Sequence, residues 1–255
     1  MCILFIAFKS HPQFPLIVCA NRDELHYRPT QEAHFWQPEQ TILAGKDLEA
    51  GGTWLGINKQ GEIAALTNIR APELMKQEMK TRGELPLLAL AQPNKLSTLW
   101  LNNHSHLYNP FNILYGNHQA LYCYDSRAKS STTLTSGYHA VSNGALDDIW
   151  PKMAKGNDAL QQHINTHITP DPDVILSLLK DNQQAEDENL PHTGIGLEWE
   201  RQLSSIYIKH PEYGTRSSSI ILINHHQQAH FIEVQYDGKG RTLGRQDFHF
   251  KIEND

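Results

Sequence analysis

The chain has 255 residues, of which 39% are hydrophobic and 20% charged, so it can bury a core and is not a disordered chain. The net charge is −6 and no segment concentrates Lys and Arg, which argues against a nucleic-acid-binding protein. Three widely spaced cysteines, Cys2, Cys19 and Cys123, argue against a disulfide framework. The apolar runs are too short for a signal peptide or a transmembrane segment, so we expect a cytoplasmic protein.

Two apolar runs open the chain. Residues 2–8 and 16–20 predict β-strands that are covered on both faces, and the six-residue loop signal at residues 9–14 favours an antiparallel hairpin. Closing the hairpin at this loop brings Cys2 opposite Asn21, within a shift of about two residues.

The rest of the chain alternates groups of strands and helices. Further strands are predicted at residues 53–58, 62–68, 111–115, 120–124, 138–142, 204–209, 218–224 and 229–236. Helices are predicted near residues 85–91 and 96–100, after Gly144 with an apolar face from Leu146 to Ile164, and from Asp171 onwards. Segregated runs of this kind suit packed sheets with helices outside, and without a linker or repeat we expect a single domain over residues 1–255.

Cys2 is the first candidate for chemistry. Removal of Met1 would make Cys2 the N-terminal residue. Its α-amino group would have an ordinary pKa of about 7.7–8.0 and could accept the proton of its own thiol. The alternative is a buried cysteine in a core strand, which the position alone favours.

The polar run at residues 21–24 follows the second predicted strand, close to the expected place of Cys2. Arg22 could stabilise a thiolate or hold a substrate carboxylate through two hydrogen bonds, and Asp23 could orient the α-ammonium group or Arg22. An ordinary polar turn is the alternative.

Two later segments carry further candidates. In Ser-Asn-Gly at residues 142–144, the side chain of Asn143 and a glycine N–H group could form an oxyanion hole, although a tight turn favours the same residues. In the polar run at residues 213–219, Arg216 could bind an anion or polarise a carbonyl group, and a polar strand entry is the alternative.

No cofactor or dedicated metal site is expected. The His-rich turn at residues 225–230 could bind a metal adventitiously, but no acidic or cysteine partner has ligand spacing near it. The sequence has no CxxC or CxxCH motif, so a structural zinc site and covalently attached haem are not indicated, and no segment resembles a phosphate loop.

The motifs taken together resemble the NRDE family. They are Met-Cys at 1–2, Asn-Arg-Asp-Glu at 21–24, Gly-Gly-Thr-Trp-Leu-Gly at 51–56, Ala-Leu-Thr-Asn-Ile-Arg at 65–70, Arg-Gly-Glu-Leu at 82–85, Ser-Asn-Gly at 142–144, Leu-Pro-His-Thr-Gly at 190–194 and Gly-Thr-Arg-Ser-Ser at 214–218. The resemblance covers nearly the whole chain. Because this family is grouped with the N-terminal-nucleophile hydrolases, it implies an α+β fold, a four-layer αββα sandwich.

The resemblance extends to cysteine amidases similar to penicillin V acylase and bile salt hydrolase. By position it implies Cys2 as the nucleophile, with Arg22 and Asp23 beside it and with Asn143 and Arg216 as later partners. The Arg and Asp are separated in those amidases, whereas they are adjacent here.

The leading hypothesis is a cysteine-dependent amidohydrolase that acts on a non-peptide C–N bond of a linear amide. Asn143 would stabilise the oxyanion, and the substrate-binding candidates are Asn21, Asn68, Arg70 and Arg216. The family is also linked to haem trafficking and to lipid or acyl-CoA homeostasis. The resemblance therefore implies a runner-up, a non-catalytic protein that binds haem or an acyl ligand in the same cleft. An interaction protein with a vestigial site is a third hypothesis, and the oligomeric state stays open.

Overall fold

A computed structural model of the chain describes residues 2–38 and 41–253, so Met1 lies outside the described residues. In chain order the strands are β1 (Cys2–Phe8), β2 (Leu16–Leu25), β3 (Thr30–Phe35), β4 (Ile42–Asp47), β5 (Leu55–Asn58), β6 (Ile63–Asn68), β7 (Phe111–Gly116), β8 (Leu121–Asp125), β9 (Ser130–Thr133), β10 (Gly137–Val141), β11 (Tyr213–Ile223), β12 (Gln228–Tyr236) and β13 (Thr242–Lys251). The helices are α1 (Glu84–Ala91), α2 (Thr98–His104), α3 (Pro151–Thr166), α4 (Pro172–Leu178) and α5 (Leu197–Gln202).

The strands form two antiparallel sheets. One has six strands in the order β10-β1-β2-β11-β12-β13, and the other has seven, β3 to β9, in chain order. Because side chains alternate along a strand, β1 contributes to two cores. Leu4 and Ile6 face the other sheet, whereas Ile3 and Phe5 pack against α3 and α4. Helices α1 and α2 cover the outer face of the second sheet, which confirms the αββα sandwich that the resemblance implies.

The polar run at residues 21–24 is part of β2, and the prediction that this strand ends at residue 20 was wrong. Strand β11 pairs with β2 as far as Leu25, so the polar residues have ladder partners on a second strand. Cys2 pairs with Arg22, one residue from the predicted partner Asn21. A shift of one residue exchanges the two faces of a strand, so Arg22 and not Asn21 shares a face with Cys2.

Other predicted elements were confirmed with two exceptions. The hairpin at 53–68 is β5 and β6, and Asp171 caps α4 by accepting a hydrogen bond from the backbone N–H of Asp173 at 2.9 Å. Residues 204–209 were wrongly predicted as a strand, because there Tyr207 donates its backbone N–H to the carbonyl of Asp181 and only an isolated bridge forms. The long helix begins only at Pro151, so Ile149 lies outside it and is exposed. Strands β3, β4, β9 and β13 and helix α5 were not predicted.

Candidate active site

A cleft of about 300 Å³ opens beside Cys2. Its walls come from the starts or ends of β1, β2, β4 and β6 and from the segment at residues 79–83 before α1. The cleft brings together Cys2, Arg22, Asp23 and Asn68, which are four of the eight residues that the sequence analysis proposed. The other four are Asn21, Arg70, Asn143 and Arg216, and their side chains are held elsewhere, as described below.

Cys2 is the first residue of β1 and is 9% exposed. Burial raises the pKa of its thiol above the ordinary value, because a thiolate would lose hydration there; the charge of Asp23 acts in the same direction and that of Arg22 opposes it. The thiol is therefore protonated at neutral pH in this arrangement. The hydroxyl group of Ser142 donates to the Cys2 carbonyl at 3.3 Å and ties the start of β1 to the end of β10.

Arg22 spans the space between the two sheets. Its Nη1 donates to Thr30 Oγ1 at 3.1 Å, and its Nη2 lies 3.4 Å from Asp47 Oδ2. The guanidinium group also lies 4.3 Å from the ring centroid of Trp54. The side chain is only 4% exposed, so its positive charge is fixed on the face of the sheet that carries Cys2.

Asp23 is the next residue along β2. Its Oδ1 accepts a hydrogen bond from the hydroxyl group of Thr215 at 2.7 Å. Burial raises the pKa of Asp23 to about 6, although the nearby charge of Lys152 and the Thr215 hydroxyl lower it. A carboxyl group with this pKa changes its protonation state close to neutral pH, as an acid or base in a proton transfer does.

Asn21 points to the opposite face of β2. Its Nδ2 donates to the carbonyls of Leu179 and Ile206 at 2.8 and 2.9 Å, and its Oδ1 accepts from Ser218 Oγ at 2.6 Å. These bonds join the sheet to the helical layer, so the side chain is fully engaged away from the cleft.

Asn143 holds the end of β6. Its Nδ2 donates to the carbonyl of Asn68 at 2.9 Å, and its own carbonyl accepts the backbone N–H of Arg70 at 2.7 Å. The side chain is 2% exposed and does not line the cleft, whereas that of Asn68 does. Asn143 thus fixes the segment from which Asn68 projects.

Arg70 forms a buried ion pair. Its Nη1 lies 2.5 Å from Glu200 Oε2, and both side chains are 4% exposed. Its Nη2 donates to Asn143 Oδ1 at 3.3 Å. Burial lowers the pKa of Arg70, and the charge of Glu200 opposes that shift. The guanidinium group therefore ties α5 to the end of β6 and lies outside the cleft.

Arg216 forms hydrogen bonds to the turn that follows β2. It occupies the bulge where the register of β11 shifts, and its Nη1 donates to the carbonyls of Leu25 and His26, both at 2.9 Å, and of Arg28 at 3.2 Å. The bulge turns this side chain toward the turn, and it does not line the cleft.

Arg82 is a cleft residue that the sequence reasoning missed. Its Nη1 donates to the carbonyl of Pro110 at 3.1 Å, and among the described residues it has no ion-pair partner. Burial lowers its pKa, and the charges of Glu24 and Cys2 raise it. The Arg-Gly-Glu-Leu motif at 82–85 could have identified this residue, since it belongs to the family resemblance.

Two glycines place Arg82 at the cleft. Gly83 accepts a hydrogen bond from the backbone N–H of Thr53 at 3.0 Å, and a Cβ atom on Gly52 would overlap the backbone of Gly83. The absence of a side chain at Gly52 thus allows the segment before α1 to approach the loop before β5.

The four-layer αββα arrangement is a fold of the N-terminal-nucleophile hydrolase type. A solved structure described as a mutant C2A conjugated bile acid hydrolase from Clostridium perfringens has the same fold, with a TM-score of 0.50 and 9% sequence identity over 100% of this chain and 94% of that chain. The chain belongs to the Transport and Golgi organisation 2 family, which it matches over residues 1–238.

Curated relatives match along nearly their full lengths. The Transport and Golgi organization protein 2 homolog of Homo sapiens is 34% identical over 246 residues, covering 88% of this chain and 89% of that protein. The homolog of Bos taurus is 32% identical over 264 residues, covering 95% of both. The NRDE family, which the motifs indicated, is the family that includes these Transport and Golgi organization proteins, so the matches confirm that prediction. Within the described residues, no helix is long and apolar enough to cross a membrane.

Proposed function

We propose that this protein is a cysteine-dependent N-terminal-nucleophile amidohydrolase that cleaves a non-peptide C–N bond of a linear amide. The observation that carries the proposal is the position of Cys2, at the start of an interior strand and on the wall of a cleft, with Arg22 opposite it on the same face. The bile acid hydrolase of the same fold was solved with a C2A substitution, which supports a role for a cysteine at the second position.

The chemistry requires the removal of Met1, which frees the α-amino group of Cys2. This amine then accepts the thiol proton while Sγ attacks the carbonyl carbon of the amide. The C–N bond breaks as the α-ammonium group returns the proton to the leaving amine, and a thioester remains on Cys2. Water, deprotonated by the same amine, hydrolyses the thioester and releases the acid. The charge of Arg22 favours the thiolate against the effect of burial.

The oxyanion of the tetrahedral intermediate needs donors on the cleft wall. Asn68 and Asn109 both line the cleft with Cys2, but the Nδ2 of Asn109 donates to the carbonyl of Lys76 at 3.0 Å. We therefore assign this role to Asn68. Asn143 holds the Asn68 carbonyl at 2.9 Å and acts in this scheme as a positioning residue. Asp23, with a pKa of about 6, orients the α-ammonium group while it is ionised.

The composition of the cleft favours a small polar substrate over the alternative ligands. Haem and acyl chains need a large apolar pocket, whereas this cleft has a volume of about 300 Å³, at the lower end for small-molecule sites. Its wall carries the charged side chains of Arg22, Asp23, Glu24, Arg28, Asp47, Lys80 and Arg82. A haem or acyl carrier using this cleft is therefore the weaker proposal.

The first test is the intact mass of the untagged protein, followed by brief treatment with substoichiometric iodoacetamide and peptide mapping. We expect loss of Met1 and alkylation of Cys2 at least tenfold faster than that of Cys19 and Cys123. Those two thiols are matched internal controls, because they are also buried and burial raises their pKa values as well. A retained Met1, or a Cys2 as inert as the controls, would contradict the proposal.

The second test measures hydrolysis of a panel of linear N-acyl amides by the wild type, Cys2→Ala and Cys19→Ala. Loss of turnover in Cys2→Ala alone supports the mechanism. Turnover that survives in Cys2→Ala, or saturable binding of haem or acyl-CoA without any turnover, would favour the alternatives.

A further inference from the structure

A cluster of two histidines and one aspartate lies on strands β12 and β13, outside the cleft that contains Cys2. His230 and His249 are direct partners across the two strands, and their rings are stacked with centroids 3.8 Å apart. Asp247 lies two residues before His249 and therefore on the same face of β13. Its Oδ1 is 2.7 Å from His230 Nε2 and 3.2 Å from His249 Nε2.

The three donor atoms have the separations that one metal ion requires. They all lie within 4.8 Å of one another. Protein ligands of zinc bind at about 2.0–2.2 Å, so two ligands at tetrahedral or right-angle positions are roughly 3.0–3.4 Å apart. The two N–O distances, 2.7 and 3.2 Å, need a change of only a few tenths of an ångström to meet that condition. Two imidazoles and one carboxylate suit Zn²⁺ and its neighbours Co²⁺ and Ni²⁺.

The carboxylate also has the outer support that metal ligands usually have. Arg245 Nη2 lies 3.2 Å from Asp247 Oδ2, and Arg245 Nη1 lies 2.6 Å from Asp173 Oδ1. Arg245 thus holds one carboxylate oxygen and leaves the other directed at the two histidines. The charge of Asp173 partly offsets that of Arg245 beside the cation.

A cleft of about 540 Å³ adjoins the cluster, and His230 and His249 belong to its wall. A metal ion held by three protein ligands keeps at least one open position. The cleft gives the ion a path of entry and gives the open position space for water or an anionic group.

We propose that His230, Asp247 and His249 bind one divalent transition-metal ion, at a site separate from the proposed amidohydrolase cleft. No such site was predicted from the sequence, because no acidic or cysteine partner has ligand spacing near the turn at residues 225–230. The partners come from β13, which was not predicted and which pairs with β12 in the folded chain.

The test is calorimetric titration of the chelator-stripped protein with ZnCl₂ and, separately, NiCl₂. We expect one ion per chain with a micromolar or lower Kd in the wild type. His249→Ala and Asp247→Asn should bind at least tenfold more weakly. The side chain of His249 is 71% exposed, so its removal leaves the core intact, and an unchanged thermal melt of the metal-free variant checks this.

His106→Ala is the matched control, since His106 is an exposed histidine in the layer outside the other sheet. This variant should bind as the wild type does. The proposal is overturned if the wild type shows no binding, which would leave an exposed His–Asp ion pair only. It is also overturned if His249→Ala binds as tightly as the wild type, or if only substitution of the adjacent His225 and His226 abolishes binding.

Discussion

The buried ion pair between Arg70 and Glu200, at the end of β6, allows a direct test of how much this contact stabilises the fold. Glu200→Ala would leave the guanidinium group of Arg70 without its counter-charge, at a position where the side chain is 4% exposed. Breaking a buried pair in this way costs about 3–5 kcal/mol. Glu200 also accepts hydrogen bonds from the backbone N–H and the hydroxyl group of Thr193, at 2.8 and 2.6 Å, so the variant leaves these two donors unpaired as well.

The assay is urea denaturation followed by circular dichroism, and we expect the free energy of unfolding of Glu200→Ala to fall by about 3–5 kcal/mol. The double variant Arg70→Met with Glu200→Met removes both charges together and should recover most of that loss, because no uncompensated charge remains. Asp187→Ala is the control: Asp187 and Arg201 are 2.6 Å apart but exposed, so solvent screens them and this variant should lose far less stability. A loss in Glu200→Ala no larger than in Asp187→Ala would refute the reasoning.

Three further perturbations follow from the structure. In Gly156→Ala, the new Cβ would overlap the ring of Phe5, so the melt should show a loss of about 1–3 kcal/mol although alanine favours a helix; an unchanged melt would contradict this contact. Burial raises the pKa of Glu233 to about 7, so the folded protein keeps a proton that the unfolded chain releases near pH 4.5. This group should therefore lower wild-type stability by up to about 3 kcal/mol as the pH rises from 4.5 to 7. In urea titrations Glu233→Gln should lose this contribution and keep only the smaller fall that comes from Asp23, whose pKa is also raised, to about 6; an equal pH dependence in the two proteins would refute the reasoning. Arg22→Gln removes the cation opposite Cys2 and should slow alkylation of that thiol roughly tenfold, and a rate equal to that of the wild type would show that Arg22 does not act on its charge state.

The register of β1 against β2 shows where sequence reasoning reached its limit. The apolar runs predicted both strands and placed Cys2 near the polar run at 21–24. The choice between Asn21 and Arg22 as its partner depended on a shift of one residue. In a hairpin that shift is set by the conformation of the loop between the strands, which the apolar pattern does not specify.

The candidate site residues fall into two groups, those that the sequence placed correctly at the cleft and those that it did not. The strands of Cys2, Arg22 and Asp23 are joined by a hairpin, so local sequence was enough to group these residues. Arg70, Asn143 and Arg216 were proposed from their motifs and the family resemblance, but their side chains bind the protein itself. Whether each of these side chains binds a substrate or the protein itself depends on neighbouring carbonyl and carboxylate groups, and those groups are distant in the chain.

The sequence by itself determined the family and the layered α+β architecture, because apolar periodicity and short motifs are local properties of the chain. The tertiary structure alone decided which face each polar side chain occupies, brought Arg82 to the cleft and placed His249 opposite His230. These arrangements depend on strand register and on contacts between segments far apart in sequence, which no local pattern specifies.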